Sequence, residues 1–586
     1  MHQGGIRRLL LSDALLLLVA IFALALPATS QETKPPASSP AGQAAPLSPP
    51  SPSSKPAAPP PAPASDTPHD ILGEALVLAR KGDCAAAIKK YRQLLEENPK
   101  SPDAYAGLTR CYMKEKDVAL AYETVTKGLQ VADSATVRVA LGEVYFRQGK
   151  IPEAEKEWVD VINSRYQVAR AYLDLARMRR SIMMNKSAKA LIEKAHELDP
   201  DDPEIVRAWV GTLGRSERIA YYEKKVADES NPGSEGHGNA EAYLAHLKEQ
   251  EKRHGRSCRL VSKVADTTTP LVRLMIDPKH LRGYGLGVDL NGTHTNIMLD
   301  TGASGILVKS QTAEKAGITK LTETKVWGIG DKGRRNAYIG IAQSIRIGQL
   351  EFQDCPVEVM ESSSVADEDG LIGANVFEDF LVEIDFPNEK LKLSELPKRP
   401  GQGDQQLALK NDEDDSDDQE KPAEAGAKET TPPANLTGPQ DRYIAPEMRA
   451  FTPVYRFGHQ LLVPTRIGDA PSKLFLLDTG AREDFISPEA AREVTKVHGD
   501  SGTIVKGISG SVKNVYTANK TVLTFGHEHQ EVQEMLSFDT TSISEGNGTE
   551  VSGFLGFVTL RVLDIKIDYR DALVDFTYDA KRFERR

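Results

Sequence analysis

Two carboxylates stand in the same local setting far apart in the chain. Asp300 ends the run Ile297-Met298-Leu299 and is followed by Thr301-Gly302-Ala303, while Asp478 ends Phe475-Leu476-Leu477 and is followed by Thr479-Gly480-Ala481. One such carboxylate on a tight turn has little chemistry. Two brought within a few ångströms cannot both ionise, so one keeps its proton and the pair becomes an acid and a base together. That pair can take a proton from water with one member and protonate the attacked oxygen or the leaving group with the other. It needs neither a metal nor a covalent nucleophile, and neither loop has a His or Cys cluster close by in sequence.

The elements that must position these residues repeat as well. Each Asp follows an apolar, strand-like run, and the Gly after it permits backbone geometry that other residues resist and leaves room for an opposing loop. After Asp300 come a Gly-bearing hairpin segment, Val326-Trp327-Gly328-Ile329-Gly330, and then Leu371-Ile372-Gly373-Ala374. After Asp478, in the same order and at nearly the same distances, come Val505-Lys506-Gly507-Ile508-Ser509-Gly510 and Phe554-Leu555-Gly556-Phe557. A bare Asp-Thr-Gly arises by chance in roughly one chain in ten of this length, but a doubled pattern with doubled surroundings does not.

Residues 258–396 and 441–582 resemble the two lobes of retropepsin-type and pepsin-type aspartic peptidases, whose marks are Asp-Thr-Gly, a β-hairpin flap and a later hydrophobic-hydrophobic-Gly turn. The resemblance implies that Asp300 and Asp478 are the catalytic pair, with Thr301 and Thr479 bonded across a pseudo-twofold axis and Gly302 and Gly480 permitting close approach. It further implies flaps at Gly328 and Gly330 and at Gly507 and Gly510, and lobe-closing turns at Leu371, Ile372 and Gly373 and at Phe554, Leu555 and Gly556. Pepsin-like enzymes place Ser or Thr after Asp-Thr-Gly, where a hydroxyl lowers the carboxyl pKa, but Ala303 and Ala481 stand here, as in retropepsins. A mildly acidic optimum follows. Two flaps likewise point to a retropepsin dimer fused into one chain. Arg482 is either a modulator of the pair, a contact for a substrate carboxylate, or a surface residue.

The chain has 586 residues and a net charge of −11, enough for several cores. Much of the negative charge lies in Asn411-Asp-Glu-Asp-Asp-Ser-Asp-Asp-Gln-Glu420, within an acidic linker at 397–440 that reads as disordered. No basic stripe with interleaved aromatics appears, which argues against a nucleic-acid partner. Residues 1–30 read as an export signal: Arg7 and Arg8 precede an apolar run over 14–26, and Ala28 and Ser30 suit cleavage before Gln31. A periplasmic or secreted protein is expected, with no stable membrane span after signal removal. Export permits disulfides, and the pairing Cys84–Cys111 with Cys258–Cys355 keeps each bridge inside one candidate domain.

Residues 31–67 are a Pro-, Ala- and Ser-rich spacer. From 68 to 230 apolar residues recur at helical spacing with a period near 34: Ala87 and Tyr91, Leu108, Tyr112 and Ala121, Leu141, Gly142, Tyr145, Ala154 and Trp158, then Leu175, Ala176, Ala188 and Ile192. The pattern resembles tetratricopeptide repeats, whose arrays mostly bind peptides or proteins. The expected architecture is therefore multidomain, an all-α tetratricopeptide solenoid followed by two all-β aspartic-peptidase lobes. His237 and His254 in the connector read as solvated, and no metal or other cofactor is expected.

The function these features imply is an exported aspartic endopeptidase whose helical repeats recruit substrate or a protein partner. The competing reading is a non-catalytic binding adaptor that keeps the Asp loops as structure. A phosphate loop of the actin type ranks last, because no βαβ alternation accompanies the Asp-Thr-Gly. The long linker would also let lobes of two chains pair.

Overall fold

A computed structural model describes residues 68–228, 240–248, 258–399 and 441–580, apart from 242, 246, 332, 361–368, 500, 501 and 513. The expected export signal, the Pro-rich spacer, His237, His254 and nearly all of the acidic linker lie outside the described residues.

Among the described residues, ten helices run from Pro68–Arg80 to Arg215–Asp228. Side chains one residue before the helix close several of their starts: Asp83, Ser101, Asp117, Ser134 and Asp202 each accept from a backbone N–H of the first turn. Between paired helices the chain turns through a left-handed residue, at Gly82, Lys116, Gly149 and Met183, and these positions recur with the repeat. Small residues sit beneath large ones. A Cβ on Gly142 would lie 2.4 Å from the Trp158 indole nitrogen, and one on Gly107 would lie 2.3 Å from the Tyr91 ring. Trp158 and Tyr91 are almost wholly buried, and each such burial contributes about 2–3 kcal/mol. Their depth depends on those glycines.

Cys84 and Cys111 are buried free thiols in this helical core and not the bridge expected from the compartment. Burial, reinforced by a hydrogen bond with Cys84, pushes the Cys111 thiol up, so it stays protonated and behaves as a small apolar side chain. The other expected bridge, Cys258–Cys355, is present.

The β-rich part holds two similar sheets. In lobe one the strand Thr293–Asp300 pairs with His280–Leu290 on one side and lies parallel to Gly370–Gly373 on the other. In lobe two Lys473–Leu477 pairs with Gln460–Ile467 and lies parallel to Gly553–Leu555. Each Asp-bearing strand lies in the middle of its sheet, and the three residues before each Asp, Ile297-Met298-Leu299 and Phe475-Leu476-Leu477, are buried there, which explains their apolar sequence. A third, six-stranded sheet joins the lobes: Phe380–Asp385 pairs antiparallel with Leu563–Asp568, with Val382 opposite Ile567. Both lobes of one chain thus share a sheet.

The helical array docks on lobe two through its repeat turns. Lys116 pairs with Glu545 at 2.9 Å, Arg147 donates to the Ser544 carbonyl at 2.7 Å, and Thr549 donates to the Phe146 carbonyl at 2.6 Å. The Phe146 and Phe457 rings meet at 6.3 Å. Beneath these polar contacts, helical residues such as Trp158 and Leu175 belong to the same apolar core as Leu462, Leu476 and Phe554 of lobe two. Exposed ion pairs contribute little, so this shared core fixes the array.

Candidate active site

The two Asp loops meet at the lobe interface. Thr301 donates its backbone N–H to Thr479 Oγ1 at 3.0 Å, and Thr479 donates its own to Thr301 Oγ1 at 3.0 Å. Each hydroxyl then donates onward across the interface, Thr301 Oγ1 to the Leu477 carbonyl at 2.8 Å and Thr479 Oγ1 to the Leu299 carbonyl at 3.0 Å. Four hydrogen bonds with approximate twofold symmetry satisfy the amides and hydroxyls of this buried crossing.

The glycines bring the carboxyls together. A Cβ on Gly480 would lie 2.3 Å from Asp300 Oδ2, and a Cβ on Gly302 would lie 2.8 Å from the Asp478 carboxyl carbon. Only a residue without Cβ lets each carboxyl sit against the opposite loop. Within its own loop, Asp300 Oδ1 accepts from Gly302 N–H at 2.8 Å, while Asp478 Oδ1 accepts from Gly480 at 3.0 Å and Ala481 at 2.8 Å.

The pair is electrostatically unequal. Burial first, and then the Asp300 charge, hold the Asp478 carboxyl well above the usual carboxylate range. Asp300 is also raised by burial, but it is less enclosed, and the Gly302 N–H and the Asp478 carboxyl hydrogen bond oppose the rise. Two carboxyls buried this close together are expected to titrate as one pair that keeps a proton between them.

The closing turns run beside the Asp strands in both lobes. Leu371, Ile372 and Gly373 lie opposite Met298, Leu299 and Asp300. Phe554 and Leu555 lie opposite Leu476 and Leu477, and Asp478 N–H donates to the Leu555 carbonyl at 3.1 Å. Gly373 and Gly556 press on the Ala303 and Glu483 carbonyls more closely than any Cβ allows. A polar side chain secures each turn, supplied from opposite directions. In lobe one Asn375 accepts from Gly305 N–H at 3.2 Å; in lobe two Asp484 accepts from Gly556 N–H at 2.8 Å and from the Thr559 hydroxyl at 2.6 Å.

Both flap segments reach each other. Gly328 N–H donates to Ser509 Oγ at 3.1 Å, and Ser509 N–H donates to the Ile329 carbonyl at 2.9 Å. A Cβ on Gly330 would strike the Ser509 backbone at 2.4 Å, and one on Gly507 the Ile329 carbonyl at 2.5 Å, while Gly510 takes φ +96 beside them. Ile508 packs with Ala303 on a lobe-one cluster of Leu274, Met298, Leu307 and Leu371. Ile329 packs on the lobe-two core that includes Ala481. Arg482, by contrast, is exposed and paired with Glu483 at 3.4 Å. Among the described residues no group of three or more potential ligands could hold a metal ion.

Residues that the sequence pattern did not single out also belong here. Ser509 is buried and joins the flaps, Asp484 holds the Gly556 turn, and His459 reaches the Gly302 carbonyl. A lone His after Gly458 carries no local signal. Asp484, six residues after Asp478 on the way out of the loop, could have been suspected from that placement.

Known proteins resemble separate parts of the chain. Residues 286–376 match the aspartyl protease family model, and residues 78–134 match a tetratricopeptide repeat model. The UBA domain-containing protein Mud1 of Schizosaccharomyces pombe is 27% identical over 125 residues, 19% of this chain and 36% of Mud1. The chain thus spans about a third of the length of that relative. A thermophilic TPR protein of Thermus thermophilus is a structural neighbour with 21% identity, covering 31% of this chain and 100% of its own, at a TM-score of 0.26. A retropepsin-like aspartic protease from Rickettsia conorii is another, with 20% identity over 23% of this chain and 94% of its own, at a TM-score of 0.17. In class, the chain joins an N-terminal helical region of tetratricopeptide type to a β-rich region that resembles an aspartyl protease over residues 286–376.

Proposed function

We propose that the protein is an exported aspartic endopeptidase that hydrolyses peptide bonds with Asp300 and Asp478, and that its helical repeats recruit the substrate or a protein partner. The observation that carries this reading is the reciprocal seating of each carboxyl against the other loop's glycine. Water held between the carboxyls gives a proton to ionised Asp300 as its oxygen adds to the peptide carbonyl carbon, and Asp478 gives its proton to the carbonyl oxygen. Collapse of the tetrahedral species then returns a proton to the leaving nitrogen. Thr301, Thr479, Gly302 and Gly480 keep the two carboxyls in register, and the flaps at Gly328, Gly330, Gly507 and Gly510 open to admit an extended peptide and close to exclude water.

Export is supported by the N-terminal Arg7, Arg8 and apolar run and by a Cys258–Cys355 bridge. A mildly acidic optimum is supported by Ala303 and Ala481, which place no hydroxyl beside the pair.

The test is incubation of the mature protein with a peptide library between about pH 3 and pH 8, with and without a pepstatin-type mimic. Cleavage that peaks at mildly acidic pH and disappears in both Asp300→Asn and Asp478→Asn is expected. Cleavage by both variants, or a peak near about pH 2, would reject the reading. Partner binding without cleavage by the unaltered protein would favour the adaptor.

A further inference from the structure

The hairpin formed by Tyr455–Phe457 and Gln460–Ile467 belongs to lobe two, yet its tip touches the Asp loop of lobe one. His459 Nε2 lies 3.1 Å from the Gly302 carbonyl oxygen. A carbonyl only accepts, so Nε2 carries the hydrogen and donates. Burial, with Arg456 nearby, holds the imidazole below the usual histidine range, and the neutral Nε2–H form suffices for this bond. Both polar groups of Gly302 are therefore committed, the N–H to Asp300 and the carbonyl to His459.

The hairpin that carries His459 is held on several sides. Arg456 donates to the Tyr569 carbonyl at 2.7 Å and pairs with Glu378 of lobe one. Gln460 accepts from Asn547 Nδ2 at 2.7 Å, and Phe457 packs on Phe146 of the helical array. The corresponding hairpin of lobe one, Val272–Asp277 with His280–Leu290, bonds its His280 to Asp277 at 2.6 Å instead. The contact is one-sided.

We propose that His459 is a positioning residue for Asp300, which lobe two supplies to fix the Gly302 carbonyl and thereby aim the Gly302 N–H at Asp300 Oδ1. It makes the Asp300 loop dependent on the partner lobe, and it gives the two carboxyls unequal surroundings. The inference rests on the proposed peptidase reading for its catalytic consequence but not for its geometry.

The experiment compares the wild type with His459→Phe, which keeps a ring and removes the donor, and with His459→Gln, whose amide nitrogen reaches the same place. Two quantities are read: kcat and KM for a cleaved peptide, and the carbon-13 titration of the Asp300 and Asp478 carboxyls, which needs no turnover. His459→Phe should lower kcat about tenfold with KM nearly unchanged, and move the carboxyl titration by about half a pH unit. Gln should restore both. An unmoved titration in the Phe variant, or a Gln variant no better than Phe, overturns the proposal. Failure of the wild type to cleave any peptide would instead overturn the peptidase reading, and the titration would still decide the role of His459.

Discussion

The indole of Trp327, in the lobe-one flap, rests on Gly546 of the lobe-two helix Thr541–Asn547: a Cβ there would come within 2.5 Å of the ring's Cη2. The same helix is tied to the helical array by the Lys116–Glu545 pair and by the Arg147 bond to the Ser544 carbonyl. One flap therefore leans on a platform that the repeats brace.

Replacement Gly546→Ala sets two effects against each other. Ala favours the helix by about 1 kcal/mol, but its methyl must push the far end of the indole aside. Trp327 is already 42% exposed, so the ring yields and the fold survives. We expect little change in global stability, a red shift of Trp327 fluorescence in a variant with Trp158 and Trp209 replaced by Phe, and faster proteolytic nicking of the flap near Gly333. An unchanged nicking rate would show that the platform does not hold the flap.

The crossing of Thr301 and Thr479 gives a second expectation. Thr479→Val keeps the shape but removes the acceptor for Thr301 N–H and the donor for the Leu299 carbonyl, both buried. Stranding these groups costs about 2–4 kcal/mol, and the same holds for Thr301→Val with Thr479 N–H and Leu477. Thr479→Ser should recover most of the loss. Urea unfolding monitored by lobe-two probes measures it, and a Val variant as stable as the wild type would refute the role of these bonds.

Much of this arrangement was readable in the sequence because it is written locally. The Asp-Thr-Gly pairs, the flap glycines and the repeat period each rest on residues close together in the chain, where steric need dictates residue type. The shared six-stranded sheet was not readable. It draws strands from Thr267–Pro270, Phe380–Asp385, Lys390–Glu395, Thr452–Pro453, Leu563–Asp568 and Leu573–Tyr578, and pairing across such distances leaves no periodic mark. The docking of the repeats was hidden likewise, since Phe146 and Phe457 look like ordinary core residues of separate units. Compartment reasoning about cysteine also has no geometry in it, which is how Cys84 and Cys111 came to be expected as a bridge.

The Cys258–Cys355 bridge encloses 97 residues of separation and ties the entry of lobe one to the long strand Leu350–Met360. A loop of that size predicts a loss of up to about 5 kcal/mol on removal, an upper figure from chain entropy. Cys258→Ala with Cys355→Ala should therefore lower the melting temperature of lobe one, and reductant should do the same to the wild type. Cys84→Ala with Cys111→Ala should leave the response to reductant unaltered. A wild type indifferent to reductant would contradict the bridge.

Asp484 links the site to pH. Burial raises its carboxyl to about 6, against the opposing hydrogen bonds from Thr559 and Gly556. A carboxyl with a raised folded pKa binds its proton more tightly in the folded chain than in the unfolded one. Its contribution therefore favours the fold below the unfolded pKa and is lost as pH rises from about 4 to about 6, on the order of 3 kcal/mol. Asp564 and Asp568, each also raised to about 6, act with the same sign. Asp484→Asn keeps an acceptor for Gly556 N–H but does not titrate, so the decline in urea midpoint between about pH 4 and pH 6.5 should be shallower in that variant than in the wild type. Identical slopes would mean that burial does not raise the Asp484 carboxyl in the folded chain and would refute its part in the pH dependence.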